Sequence, residues 1–122
     1  MIRKVNLITD THITYQGIDA TTGKPYVGYA SMKGRQAGTD VIKYRYSGNF
    51  ERFNGEPPRV IFEGYGQAGK NIARGLEQRR FEQLGGLSGT ANRRNPVGVG
   101  NINQTDYLNA ADNYLNHKRK IN

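Results

Sequence analysis

Two tyrosine-bearing tripeptides near the N-terminus are the first residues of this chain that could do chemistry. They are Ile13-Thr14-Tyr15 and Tyr26-Val27-Gly28, and the ten residues between them include the Gly23-Lys24 turn. Each tripeptide lies in a short run that alternates apolar and polar residues, as a half-buried strand does. An antiparallel hairpin would carry both phenols on neighbouring strands. Two phenols beside a basic surface suit phosphodiester chemistry.

A carboxylate, Glu77, lies on the apolar side of the strongest predicted helix, Gln67 to Leu84. At about 100° per residue, Glu77 falls inside the apolar arc and Glu82 faces away. A carboxylate on a buried face is costly unless it is paired or binds a cation. Two interpretations stay open. Glu77 pairs with Arg74 or Arg80 at helical contact spacing, or it binds a hard cation such as Mg²⁺ together with phosphate oxygens and water.

An arginine, Arg45, lies in a second, shorter predicted helix, Val41 to Tyr46. Its guanidinium either clamps a phosphate or faces solvent. Tyr15 and Tyr26 are either site residues or ordinary strand tyrosines with their hydroxyls at the surface. Each of these residue types is therefore ambiguous when taken alone.

The elements that must position these residues follow from turn signals and hydrophobic periodicity. Strands are predicted at 11–19, 25–31 and 60–65, and helices at 41–46, at 67–84 and after Thr105. Loops are predicted at 32–38 and 49–58, with an irregular stretch at 85–104. Thr39 or Asp40 is the expected N-cap of the first helix, and Gly85-Gly86 the stop of the second. The order β-β-α-β-α-α predicts an α+β fold, a small antiparallel three-stranded sheet flanked by helices.

Composition narrows the class of protein. The 122 residues predict one domain, with a lead-in at 1–10 and a C-terminal helix and basic tail at 105–122. A formal charge of +8 favours a polyanionic partner, most often nucleic acid, or else a basic structural protein. Without cysteine, disulfides, thiolate metal sites and a thiol nucleophile are excluded. No apolar run reaches the roughly 18 residues of a membrane span. The first residues lack the apolar core of a signal peptide, so a longer parent chain or a dedicated machine would have to export the domain.

Taken in order, the site candidates resemble the GIY-YIG nuclease family. That family is marked by two tyrosine-bearing tripeptides on adjacent strands, then a helix arginine, a later helix glutamate and a closing asparagine segment. Ile13-Thr14-Tyr15 stands where the first tripeptide would, with Ile replacing Gly, and Tyr26-Val27-Gly28 is a conservative version of the second. The resemblance covers roughly residues 11–97, most of the chain.

The later motifs of the family have counterparts in the same order. Arg45 fits the helix arginine, with Arg35 as a rival because the loop after the second tripeptide is longer than usual. Glu77, within Arg-Gly-Leu-Glu-Gln, fits the glutamate, and residues 92–97 resemble the asparagine segment. One feature departs from the family. Many members carry a histidine about a turn after the arginine, and here that position is near Asn49, with Tyr46 close by.

The resemblance implies a metal-dependent endonuclease. It implies one Mg²⁺ or Mn²⁺ held by Glu77, Tyr15 as the general base or its helper, Tyr26 holding the nucleophile or phosphate, and Arg45 stabilising transition-state charge. A tyrosine with a pKa of about 10 is a poor base at neutral pH, so nearby cations would have to lower the pKa of Tyr15. Nucleic-acid contacts are expected, as backbone-phosphate contacts or as support for the loop that makes them, from Lys33, Arg35, Lys43, Arg79, Asn92, Arg93, Arg94 and Asn95.

The longer loop and the Arg-Gly-Leu-Glu-Gln run look like the toxin tips of bacterial polymorphic effectors of the Rhs and contact-dependent kinds. That resemblance implies delivery as part of a larger secreted protein and action in the cytoplasm of a target cell. It also implies an acidic immunity protein as partner. DNA is the expected substrate. An RNA-cleaving toxin and a non-catalytic nucleic-acid-binding module stay open as alternatives.

Overall fold

The computed structural model describes residues 10–120 of the chain. Strands β1 (Thr11–Ile18), β2 (Pro25–Met32) and β3 (Arg59–Tyr65) form one antiparallel sheet in the order β2-β1-β3. The helices are α1 (Gly38–Tyr46), α2 (Gly66–Gln83), α3 (Gly86–Gly89) and α4 (Gln104–Lys120), with a 3-10 turn at Glu51–Phe53. The predicted α+β fold with a three-stranded antiparallel sheet is confirmed. Residues 1–9 of the expected lead-in lie outside the described residues.

Strand β1 is the centre of the sheet, and its alternating side chains enter two different cores. Ile13 and Tyr15 pack with Val41 of α1 on one face. On the other face, the hydroxyl of Thr14 donates a hydrogen bond to the carbonyl of Ala73 in α2, at 2.7 Å. Because both faces of the strand are covered, its first five residues are all buried. The sheet therefore lies between α1, on the face that carries the hairpin tyrosines, and α2 on the opposite face.

Helices α2 and α4 cross closely because Gly75 has no side chain. A Cβ atom on Gly75 would overlap the backbone carbonyl of Tyr107 and would lie 2.6 Å from the Cβ of Ala111. Tyr107 and Ala111 lie on the last helix, and both are buried. This crossing fixes the rotation of α2 about its own axis, and with it the direction of Glu77.

The N-terminus of α1 differs from the prediction. The helix begins at Gly38, and its N-cap, Ala37, supplies no side-chain cap. The expected caps, Thr39 and Asp40, lie inside the first turn and are exposed. The carboxylate of Glu63 in β3 instead accepts the N–H of Gly38 at 2.9 Å. The predicted local cap was wrong because a residue distant in the sequence satisfies the free N–H.

Two segments predicted as irregular contain short helical turns. The loop at 49–58 includes the 3-10 turn, whose Phe53 is buried. After α2, Gly85 and Gly86 adopt φ of 105° and 67°, which confirms the predicted stop, and α3 follows at once. Within residues 10–120, no helix combines the length and apolar character needed to cross a bilayer.

Candidate functional site

One pocket of about 670 Å³ opens beside the β1–β2 turn, between the 3-10 turn, α2 and the segment 91–96. We refer to it as the central pocket. The residues that matter for its chemistry are Tyr26, Arg52, Glu77, Asn92, Arg93 and Arg94. The hairpin tyrosine and the helix carboxylate, distant in the sequence, therefore line the same cavity.

The pairing of β1 with β2 places each hairpin tyrosine opposite a glycine. Tyr15 lies across from Gly28, and Tyr26 lies across from Gly17. A Cβ atom on Gly28 would lie 2.5 Å from the hydroxyl oxygen of Tyr15, so this close packing of the phenol requires glycine there. The two tyrosine rings lie diagonally, with centroids 6.4 Å apart. The predicted juxtaposition of the two phenols is present in the hairpin.

Tyr15 is a core residue and does not line the central pocket. Its side chain is 1% exposed, and its hydroxyl forms a hydrogen bond of 2.7 Å with the hydroxyl of Tyr46. Burial raises the pKa of Tyr15, the bond to Tyr46 raises it further, and the charge of Arg45 lowers it by less. The expectation that nearby cations lower this pKa is wrong for the protein as described. In this state Tyr15 is poorly suited to act as a base at neutral pH.

Tyr26 is the hairpin phenol that reaches the central pocket. It is half-buried, and burial raises its pKa. The charges of Arg52 and Arg45 act in the opposite direction. The guanidinium carbon of Arg52 lies 3.9 Å from the centroid of the Tyr26 ring. Tyr26 therefore sits in the pocket with one cation directly against its ring.

Glu77 lies on the pocket wall with 9% of its surface exposed. Its Oε1 atom is 3.3 Å from Nε of Arg74, but the two groups are too poorly aligned for a hydrogen bond, and both atoms are buried without such a partner. Burial raises the pKa of Glu77 to about 7, and Arg74 lowers it by less. Of the two expected ion-pair partners, Arg74 is the one in place. Arg80 instead donates to Gln16 at 2.8 Å.

The residues of the pocket fit a metal site with few protein ligands. Among residues 10–120, no group of three or more His, Asp or Glu side chains is placed to hold a metal ion. Asp19 is the second carboxylate of the pocket, but it accepts the N–H and hydroxyl of Thr22, both at 2.9 Å, and these bonds lower its pKa. Glu77, with an oxygen that no donor satisfies, is the better ligand. One carboxylate with phosphate oxygens and water is a common Mg²⁺ arrangement.

The amide of Asn92 is committed to the backbone of the hairpin. It accepts the N–H of Val27 at 3.1 Å and donates to the carbonyl of the same residue at 2.9 Å. The N–H of Ala91 donates to the carbonyl of Pro25 at 2.8 Å. Asn92 thus extends the free edge of β2 and holds the loop against Tyr26. Asn95 is exposed and accepts a bond from Gln78 at 3.2 Å.

The basic residues expected to contact nucleic acid fall in different places. Arg93 and Arg94 are exposed and line the central pocket. The guanidinium of Arg35 lies 4.1 Å above the ring of Tyr65, outside the pocket lining. Lys33 and Lys43 are also exposed and also outside that lining.

Two other arginines are engaged with neighbouring side chains. Arg79 makes two bonds of 2.9 Å to Asp112 and one of 3.0 Å to Glu82, so its guanidinium stabilises the α2–α4 contact. Arg45 is exposed on α1, with its guanidinium carbon 5.0 Å from the centroid of the Tyr46 ring. It does not line the pocket, although its charge acts on both hairpin phenols.

Arg52 is not among the site residues that the sequence patterns predict. It lies in a stretch that reads as a loop by composition, far from Tyr26 along the chain. The one local signal is Phe53, an aromatic residue in an otherwise polar loop, which anchors the 3-10 turn in the core. No family model, curated protein or solved structure matched this chain. The GIY-YIG resemblance therefore stays a prediction made from the sequence.

Proposed function

We propose that this domain is a metal-dependent endonuclease that hydrolyses phosphodiester bonds of nucleic acid, with DNA the favoured substrate. The observation that supports it is the shared pocket. Tyr26 and Glu77 line one cavity together with Arg52, Arg93 and Arg94. A phenol, a carboxylate without a hydrogen-bond partner and three cations are a set suited to a phosphate ester and a hard metal ion.

Glu77 is the residue that would hold the metal, through its ionised carboxylate. Bound there, Mg²⁺ or Mn²⁺ would neutralise the scissile phosphate and lower the pKa of a bound water. The hydroxyl of Tyr26 would hold the nucleophile or the phosphate at the pocket wall. Tyr15 would assist by fixing the ring of Tyr26 from the core side. Arg45, outside the pocket lining, would act through the effect of its charge on both phenols.

Plasmid cleavage tests the assignment of these residues. Wild type, Glu77→Ala and Tyr26→Phe are compared with Mg²⁺ or Mn²⁺, and Glu82→Ala, on the exposed side of the same helix, is the matched control. We expect both site variants to lose at least tenfold in rate, because each removes a group that contacts substrate or metal, and the control to keep its activity. Equal cleavage by all four proteins would contradict the proposed site.

Substrate choice is tested in the same series. Transfer RNA and ribosomal RNA are digested beside the plasmid, and faster cleavage of RNA would make the domain a ribonuclease. If wild type cleaves neither polymer with either metal, the enzyme proposal fails. A basic nucleic-acid-binding module would then be the remaining function, with salt-dependent binding that Glu77→Ala leaves intact or strengthens.

The biological role proposed for this activity is that of an antibacterial effector. The domain would be delivered as part of a larger protein, act in the cytoplasm of the target cell and be neutralised in the producing cell by an acidic immunity protein. The formal charge of +8 supports an acidic partner. Bacterial growth with and without the adjacent gene, together with a pull-down of the protein encoded immediately downstream, tests this role. Failure of that protein to bind would count against it.

A further inference from the structure

Arg52 lines the central pocket, and two neighbouring side chains contact its guanidinium group. Its side chain is 40% exposed, and its guanidinium carbon lies 3.9 Å from the centroid of the Tyr26 ring. Its Nε atom is 3.5 Å from a carboxylate oxygen of Asp19. A flat guanidinium that stacks on an aromatic ring and faces a carboxylate loses little further freedom when it binds a ligand.

The backbone around Arg52 is tied to the hairpin turn. The N–H of Ala20 donates to the carbonyl of Arg52 at 2.7 Å. The next residue, Phe53, is buried against Gly17, where a Cβ atom would lie 2.6 Å from the Phe53 ring. Asp19 is itself held by its two bonds from Thr22. The 3-10 turn and the β1–β2 turn therefore form one unit that presents Arg52 beside Tyr26.

We propose that Arg52 binds the substrate phosphate next to Tyr26, with Asp19 and the Tyr26 ring holding its guanidinium in place. This inference rests on the proposed role of the central pocket. The Nε atom faces Asp19, and the remaining guanidinium donors suit the paired oxygens of a phosphate. Arg45, by contrast, lies outside the pocket lining. The arginine that contacts the phosphate would therefore come from the loop after α1 and not from α1 itself.

Direct binding tests this proposal without relying on cleavage. A fluorescently labelled DNA oligonucleotide is titrated in EDTA, which withholds the metal, and anisotropy reports binding. We expect Arg52→Gln to weaken binding about tenfold and to reduce the slope of log K against log salt by about 1, as loss of one charge-assisted phosphate contact should. Arg59→Gln, an exposed arginine outside the pocket lining, is the control and should change binding less than about twofold.

A double-mutant cycle tests whether Arg52 acts together with the Tyr26 ring. Tyr26→Phe keeps the ring and should keep the Arg52 contribution, whereas Tyr26→Ala removes the surface on which the guanidinium stacks. In the Tyr26→Ala background, Arg52→Gln should cost clearly less than it does in the wild type. Arg52→Lys keeps the charge but not the planar group, so it should recover only part of the binding. Equal effects of Arg52→Gln and Arg59→Gln, or full additivity in the cycle, would overturn the proposal.

The outcomes separate this inference from the endonuclease proposal. Binding that depends on Arg52, with no cleavage under any condition, would support the phosphate contact and contradict the endonuclease proposal. Cleavage and binding that are both insensitive to Arg52→Gln would leave the enzyme and overturn the phosphate contact. A thermal melt of each variant shows that it is folded, and Arg52→Gln should melt within a few degrees of wild type because the ion pair with Asp19 is partly exposed and such pairs contribute little stability.

Discussion

The carboxylate of Glu77 and the guanidinium of Arg74 lie one turn apart on α2, with 3.3 Å between Oε1 and Nε. Among residues 10–120, Oε1 of Glu77 and Nε of Arg74 are the buried side-chain polar atoms that lack a hydrogen-bond partner. The guanidinium carbon of Arg74 is 5.0 Å from the ring centroid of Tyr29 and 5.3 Å from that of Tyr107. The same side chain donates to the carbonyl of Pro96 at 3.2 Å. Arg74 thus connects α2, β2, α4 and the pocket loop around the carboxylate.

Removing Arg74 should destabilise the domain. Arg74→Met keeps apolar contact with the rings but leaves Glu77 buried without its cation, and we expect a loss of up to about 3 kcal/mol at about pH 9, where the carboxylate is ionised, because breaking a buried ion pair strands a charge. Urea unfolding measures it. The double variant Arg74→Met/Glu77→Gln should recover part of the loss, since no charge is then left unpaired. If the double variant is no more stable than the single one, the pairing does not matter.

Glu77 should make stability depend on pH near neutrality. Its pKa is raised from 4.5 to about 7 in the folded protein, so the folded state holds the proton more tightly. This contribution, at most about 3 kcal/mol, is fully present below pH 4.5 and is lost as pH rises through 7. Glu77→Gln should remove this fall in stability between about pH 5 and 8, whereas Glu82→Gln should keep it.

Titration of His12, which lies beside the Tyr29 ring that Arg74 also contacts, does not produce the fall in stability with rising pH that is expected from Glu77. Burial lowers the pKa of His12, whose ring nitrogen is 2.8 Å from the hydroxyl of Tyr29. A lowered histidine pKa makes stability increase with pH, the opposite sign. Because His12 is present in wild type and in both glutamate variants, the difference between their unfolding free energies at each pH isolates Glu77. An unchanged slope in Glu77→Gln would contradict the raised pKa.

The glycine opposite Tyr15 should be intolerant of a side chain. In Gly28→Ala the new Cβ would lie 2.5 Å from the Tyr15 hydroxyl oxygen, so the phenol or the strand must shift at a cost of about 1–3 kcal/mol. Thermal unfolding measures the loss. Gly98→Ala is the control, because a Cβ there meets nothing within 4 Å. Equal melting temperatures for the two variants would show that the Tyr15 ring is not held against β2.

Arg79 and Arg93 should separate stability from binding. Arg79 is bonded to Asp112 by two hydrogen bonds and should contribute about 1 kcal/mol of stability, since the pair is partly exposed. Arg79→Gln is therefore expected to lower the melting temperature and to leave DNA affinity unchanged. Arg93→Gln, at the exposed pocket rim, should lower DNA affinity and leave the melting temperature unchanged. Anisotropy titrations and melts of both variants check this, and loss of affinity in Arg79→Gln would place it on the binding surface.

The sequence by itself determined the three strands, the three longer helices and their order. Strand alternation and the turn at Gly23-Lys24 were sufficient to place Tyr15 and Tyr26 on adjacent strands, because a hairpin's register depends on residues that are close in the chain. The last helix and the Gly85-Gly86 stop were equally local. Patterns of this kind depend on backbone geometry and on which side of a helix or strand is apolar, and residues close together in the sequence determine both.

Only the tertiary structure decided which partner each polar group found. Glu63 accepts a hydrogen bond from the N-terminus of α1, Asp112 accepts one from Arg79, and the guanidinium of Arg52 stacks on the ring of Tyr26. In each case the two partners are distant in the sequence. Such pairings depend on how helices and loops pack across the sheet, and the spacing of residues in the sequence does not predict which of them will be in contact. For the same reason the burial that raises the pKa of Tyr15 and Glu77 follows from packing, since it depends on everything that surrounds each side chain.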